Sequence, residues 1–178
     1  MLRSEFSPQT QEYDIDLRIK TSNLYIKTDM TLLTRIVQNF LSNAFRYASS
    51  GKVLLGCRRS ANQLCIQVFD TGPGIPQSKQ QQVFEQFTQL ANSQAVGPKG
   101  LGLGLNIAKS LAGLLNHKID LRSKEGAGCM FSVSVPITSA PKKTVTTDAL
   151  PVTTLQGVKV LCIDNEQSIL AGMDDLLN

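Results

Sequence analysis

Residues 97–105 read Gly97-Pro98-Lys99-Gly100-Leu101-Gly102-Leu103-Gly104-Leu105, a run that fits neither a strand nor a helix. Each glycine inside a regular element costs about 0.5–1 kcal/mol relative to alanine, because it has more backbone freedom to lose. The run therefore reads as a loop. Ile107, Ala108, Leu111 and Leu115 follow at helical spacing, so the loop feeds a helix spanning 103–115. Such a turn exposes backbone N–H groups at a helix N-terminus carrying about half a positive charge, a setting that suits phosphate. G-x-G-x-G is not the dinucleotide fingerprint G-x-G-x-x-G, no β-α-β unit surrounds it, and no Walker lysine-serine pair follows.

The elements before the loop alternate in type. Residues 14–19 and 24–27 read as short strands joined by the polar turn Thr21-Ser22-Asn23. Asp29 is placed to cap a helix whose apolar stripe is Leu33, Ile36, Val37, Phe40, Leu41, Ala44 and Phe45, ending near Ser49-Ser50-Gly51. Residues 52–59 and 63–70 form an expected antiparallel hairpin around Ser60-Ala61-Asn62. A Gly/Pro loop covers 71–76, a short helix is expected over 77–87, and 88–99 lacks periodicity. Strands are expected at 118–123 and 129–135.

Composition limits the function classes. A hydrophobic content of 42% and a charged content of 18% fit a globular chain, and a formal charge of +4 without a dense basic run argues against a nucleic-acid partner. Neither a membrane span nor a signal-peptide layout is visible, so the segment reads as soluble and cytoplasmic, whether or not its parent is membrane-anchored. The four cysteines, Cys57, Cys65, Cys129 and Cys162, stand singly and read as free buried thiols, a Cys57–Cys65 disulfide being the less favoured alternative.

Asn39, Asn43, Arg46 and Tyr47 fall at i, i+4, i+7 and i+8, sharing one face of the first helix beside its apolar stripe. Alone, that stripe is equally a solvated face. Asp70, at a strand end, opens Asp70-Thr71-Gly72-Pro73-Gly74-Ile75-Pro76. An ionised carboxylate there accepts a hydrogen bond from an exocyclic amine such as that of adenine, while glycines let a flat ring approach the backbone. Guanine presents an acceptor at the same place and is disfavoured.

Together these motifs resemble the boxes of sensor histidine kinases. Residues 38–47 resemble the asparagine box, 70–76 the first glycine box, 83–87 the phenylalanine box and 100–108 the second glycine box, in order within a stretch from about residue 29 to residue 136. The resemblance implies an α/β (α+β) two-layer sandwich of the Bergerat type, a mixed β-sheet covered on one face by helices. It also implies ATP and Mg²⁺ as ligands. Asn43 would hold Mg²⁺, Arg46 would meet the terminal phosphates, Tyr47 would line the site and Asp70 would select adenine. Asn39, Gly72, Gly74, Ile75, Phe87, Gly100, Leu101, Gly102, Leu103, Gly104 and Leu105 complete the expected ATP-binding set. Residues 88–99 would be a lid based on Phe84 and Phe87. Lys99 at its end either reaches a phosphate or is a solvated loop lysine. Where the family often carries small hydroxyl residues after Gly128, Cys129 and Met130 stand instead, leaving any bond made there in question.

Relatives of the gyrase, Hsp90 and MutL type usually have a water-activating glutamate at the position of Asn39. An amide is no general base, so Asn39 points to phosphoryl transfer and away from hydrolysis. The sole histidine, His117, sits between a helix and a strand and is not expected to be a phosphoacceptor. The kinase domain is thus expected at 1–137, with a threonine-rich linker at 138–156 and a receiver-like beginning at 157–178. In that last segment the strand 158–163 ends at Asp164, which resembles a receiver's Mg²⁺ ligand although Asn165 replaces the usual second acid. Expected partners are a histidine-containing dimerisation domain and a receiver domain or response regulator, the segment itself being monomeric and its parent a homodimer. The alternatives are a non-catalytic nucleotide-sensing module and a hydrolytic ATPase of the same superfamily.

Overall fold

Asp29 starts the longest element, α1 (Met30–Ala48), as its side-chain pattern predicts. Its Oδ1 accepts the Leu32 N–H at 2.9 Å and its carbonyl accepts the Leu33 N–H at 3.0 Å, satisfying two donors that a helix start leaves orphaned. The expected stripe, extended by Ala48, is buried along the whole helix. In this computed structural model the described residues are 14–48, 51–88 and 101–140, together with 5, 6, 8 and 10. The chain divides into the units Met1–Pro141 and Lys142–Asn178, and every described residue belongs to the first. Lys99, Gly100, most of the expected linker and the receiver-like segment with Asp164 lie outside the described residues.

The stripe of α1 packs on a six-stranded mixed sheet, made of β1 (Ile15–Ile19), β2 (Tyr25–Ile26), β3 (Gly51–Ser60), β4 (Gln63–Asp70), β5 (Lys118–Lys124) and β6 (Gly128–Thr138). The order runs β1-β3-β4-β6-β2, with β5 also on β6. Only β1 and β3 pair in parallel, with α1 in the crossover between them; the other pairs are antiparallel. Val53, Val68, Val133 and Val135 point to the helix side and are fully buried, and Phe40 of α1 stacks on Phe131 with ring centroids 5.5 Å apart.

Both strands before α1 form as expected, β1 lying beside β3 and β2 beside the end of β6. Other expectations are corrected. Tyr25 pairs with Thr138, so β6 runs one residue into the stretch that reads as linker. Residues 77–87 form no single helix but two 3₁₀ turns, Gln77–Lys79 and Gln82–Phe84, before the chain becomes extended at Glu85 and left-handed at Phe87 (φ 58°). Phe84 packs edge-on to Phe131, whereas Phe87 is 69% exposed and anchors nothing in the core. Cys57 is opposite Ile66 and Cys65 opposite Arg58, so the two thiols project from opposite faces of the hairpin and cannot bridge; both are free.

The second helix, α2 (Gly104–Leu114), packs on α1 through Leu105, Ala108 and Ala112. Its C-terminal end closes as a Schellman motif. Asn116 takes φ 54° and the His117 N–H reaches the Ala112 carbonyl at 2.8 Å. His117 then turns its Nε2 to Thr28 Oγ1 at 2.8 Å. No described helix is long and apolar enough to cross a membrane.

The cap gives a direct test of how α1 is held. Asp29→Ala should lower the unfolding free energy by about 1 kcal/mol in urea titrations, and Asp29→Asn should stay within a few tenths of wild type.

Candidate functional site

β4 delivers Asp70 into the space beside α1. Being on the same strand face as Val68, it is only 8% exposed. Its Oδ1 accepts the Gly72 N–H at 2.9 Å and the Cys129 N–H at 3.3 Å, while no donor to Oδ2 is present among the described residues. Burial raises the carboxyl above its ordinary 3.8, and the two backbone N–H groups pull it back in part. Asp70 is thus a buried acid with one oxygen fixed and the other without a donor among the described residues.

Gly128 makes this hold possible. Its φ of 92° lies in the region that favours glycine, and a Cβ there would run into the Asp70 carbonyl oxygen. The turn before β6 can thus fold tightly against the end of β4, which sets Cys129 opposite Asp70. The thiol of Cys129 turns to Ser123, with Sγ 3.2 Å from Ser123 Oγ, and burial with the Asp70 charge nearby pushes its pKa up to about 11. The bond to Asp70 comes from the Cys129 backbone N–H and not from its side chain.

The glycine loop is fixed on all sides. Thr71 Oγ1 accepts the Lys52 N–H at 2.9 Å, and the Thr71 N–H donates to the Lys52 carbonyl at 3.2 Å. Gly72 lies against the backbone of Tyr47 and Gly74 against that of Lys124, with the Gly126 N–H donating to the Pro73 carbonyl at 2.6 Å. Ile75 is buried in the core, and its N–H donates to Ser123 Oγ at 2.7 Å.

At the other end of the stripe, Asn39 donates Nδ2 to the Arg35 carbonyl at 2.8 Å. Its Oδ1 faces the start of α2, where a Cβ on Gly104 would come within 2.9 Å of it. Glycine at 104 lets the two helices approach there. Leu103 is the N-cap residue without a side-chain cap, and the N–H groups of Gly104, Leu105 and Asn106 find no acceptor among the described residues. Together with the dipole of an 11-residue helix, they form an electropositive end. Leu101 is exposed, Gly102 lies against the backbone of Phe87 and Thr88, and Leu105 is a core residue. Asn43, Arg46 and Tyr47 are half-buried along α1 between these two ends.

The structure thus brings together Asn39 with Gly104, and Tyr47 with Gly72 and Asp70, at two points on one helix. Sequence reasoning missed Ser123, Gln80 and Asn106. Asn106 Nδ2 donates to the Phe84 carbonyl at 3.0 Å, tying the 3₁₀ turn to α2, and Gln80 Nε2 donates to the carbonyls of Ile75 and Ser123, each at 3.0 Å. A serine at a strand end and a glutamine in a polar run carry no signal of their own.

Residues 28–139 match the profile of the histidine kinase-, DNA gyrase B- and HSP90-like ATPases. The sensor histidine kinase TmoS of Ectopseudomonas mendocina is 34% identical over 146 residues, covering 80% of this chain but 15% of that protein. The circadian input-output histidine kinase CikA of Thermosynechococcus vestitus is 32% identical over 173 residues, covering 94% of this chain and 24% of that protein. The chain therefore spans less than a quarter of the length of these relatives. Full-length ShkA, solved in complex with AMPPNP, superposes with a TM-score of 0.69 at 27% identity, covering 78% of this chain and 29% of that one. The nucleotide-free catalytic domain of the histidine kinase ThkA superposes at 0.65 with 24% identity, covering 78% and 90% of the two chains. The mixed sheet with helices on one face is the fold expected from the ordered boxes. By the extent of the profile match, this chain belongs to the histidine kinase-, DNA gyrase B- and HSP90-like ATPase family.

Proposed function

We propose that this chain is the ATP-binding catalytic part of a hybrid sensor histidine kinase. It binds Mg-ATP and donates the γ-phosphoryl group to a histidine on a dimerisation domain of its parent protein. The observation that carries this reading is the buried Asp70 carboxylate, held through one oxygen by Gly72 and Cys129 and offering the other to a donor. An exocyclic amine of adenine fits that acceptor. The uncapped first turn of α2, at the far end of the stripe, supplies backbone donors for phosphate.

Between these ends Asn43 would hold Mg²⁺ through its amide oxygen and Arg46 would meet the terminal phosphates, with Tyr47 lining the site. The residues fit such an ion, since Mg²⁺ commonly takes few protein ligands and completes its shell with phosphates and water. When bound, Mg²⁺ supplies charge neutralisation across the phosphate oxygens. Lys99 and residues 88–99 complete the reading as a phosphate contact and a lid. Asp164 and the segment 157–178 would open a receiver domain, making the downstream partner a receiver or response regulator. The setting is cytoplasmic and the parent a homodimer.

Asn39 favours this reading over a hydrolytic ATPase. Its Nδ2 is committed to the Arg35 carbonyl, and an amide cannot deprotonate water.

Calorimetric titration should find binding of ATP with Mg²⁺ in the micromolar range and a preference for adenine over guanine nucleotides. Asp70→Asn should weaken ATP binding roughly 10- to 100-fold, the value of a hydrogen bond to a charged group. Wild-type protein that binds no ATP would sink the proposal.

The same substitution should act on stability in the opposite direction. The folded-state pKa of Asp70 is raised, so its favourable contribution is complete below the unfolded value of 3.8 and is lost as pH rises through the folded value. At neutral pH the ionised, buried carboxylate weighs on the fold, while asparagine keeps an acceptor for Gly72 and Cys129. Asp70→Asn should therefore melt higher than wild type at pH 7, with the gap narrowing as pH falls toward 3.8. Thermal melts across that range check the sign.

A further inference from the structure

Ile75 is gripped at both backbone groups by residues outside its own loop. Its N–H donates to Ser123 Oγ at 2.7 Å, and its carbonyl accepts Gln80 Nε2 at 3.0 Å. The second hydrogen of the same Gln80 amide goes to the Ser123 carbonyl at 3.0 Å. Ser123 in turn reaches the Gly128 carbonyl at 2.9 Å and Cys129 Sγ at 3.2 Å.

The protons in this cluster follow from valence. A carbonyl cannot donate, so the single hydroxyl hydrogen of Ser123 goes to Gly128. The two lone pairs of Oγ then accept the Ile75 N–H and the Cys129 S–H. The thiol is available to donate, since it is held protonated with a pKa of about 11. Every hydrogen-bonding site of that hydroxyl is used.

The consequence bears on Asp70. Ile75 closes the loop that begins at Asp70 and contains Gly72, and Gly128 directly precedes Cys129. Gly72 and Cys129 are the two donors to Asp70 Oδ1. One hydroxyl and one amide thus fix the spacing between the two backbone segments that orient the carboxylate. We propose that Ser123 and Gln80 are positioning residues for base recognition, holding the glycine loop and the β5–β6 turn so that Asp70 Oδ2 points at the incoming base. This rests on the nucleotide-binding reading and adds to it the residues that set its selectivity.

The test uses the 178-residue chain and titrates Mg-ADP and Mg-GDP against wild type, Ser123→Ala, Ser123→Thr and Gln80→Glu, with a thermal melt of each. Gln80→Glu keeps the shape but turns two donors into acceptors facing carbonyls, and it stands in for Ser123→Ala should that variant not fold. Ser123→Ala and Gln80→Glu should lower the ADP-over-GDP preference about tenfold, the scale of one hydrogen bond, with GDP binding unchanged. Ser123→Thr should restore the preference. An unchanged preference in the folded variants, or an equal loss of both nucleotides, overturns the assignment and leaves a merely structural role. Wild type that binds neither nucleotide overturns the nucleotide-binding reading, and this inference falls with it.

Discussion

A carboxylate buried at a strand end is the constraint around which the rest of this unit is arranged. Taking an ionised group out of water is costly unless hydrogen bonds replace the lost hydration. Asp70 receives two such bonds, from Gly72 two residues on and from Cys129 across the sheet. The second exists only because β6 pairs with β4 to the last residue and because position 128 is glycine. The net raised pKa says that two backbone donors do not fully replace water. On the proposed function a ligand donor would fill that deficit, and the acid would trade some stability for binding.

Helix α1 acts as the ruler of the site. Asn39 meets the start of α2 and Tyr47 meets the glycine loop, eight residues later. At about 1.5 Å per residue the two contacts lie roughly 12 Å apart along the axis. On the proposed nucleotide-binding function, that would separate an acceptor for a base from donors for phosphate by a span of nucleotide size. The ruler is rigid because the adjoining apolar stripe is packed without exposure at Ile36, Phe40 and Leu41, and Phe40 stacks on Phe131 of β6. Core packing and site spacing are therefore one property of α1.

What the sequence makes legible follows from how local each signal is. The α1 stripe, the Asp29 cap and the β3–β4 hairpin depend on residues within a few positions of each other, and all three read correctly. β1 and β2 were legible as strands but not as to partner. Five and two residues carry little register information, and their partners lie at Gly51–Leu55 and Ile137–Thr138. The segment 77–87 has helical composition, yet Gln80 spends its side chain on Ile75 and Ser123 and the chain turns extended at Glu85. The site shows the same division. Asp70, the glycines and the asparagine stripe stand out because glycine and acid at fixed spacing are unusual. Ser123 does not, because its importance arises from Ile75, 48 positions away.

Asn39 shows how one residue serves fold and chemistry together. Its Nδ2 bonds the Arg35 carbonyl one turn back, while Oδ1 fills the space left by the missing side chain of Gly104. A glutamate here would have no N–H for Arg35 and would set a second carboxylate against the electropositive start of α2. The amide thus does more than withhold a general base: it bonds α1 one turn back and lets the two helices meet where Gly104 carries no side chain.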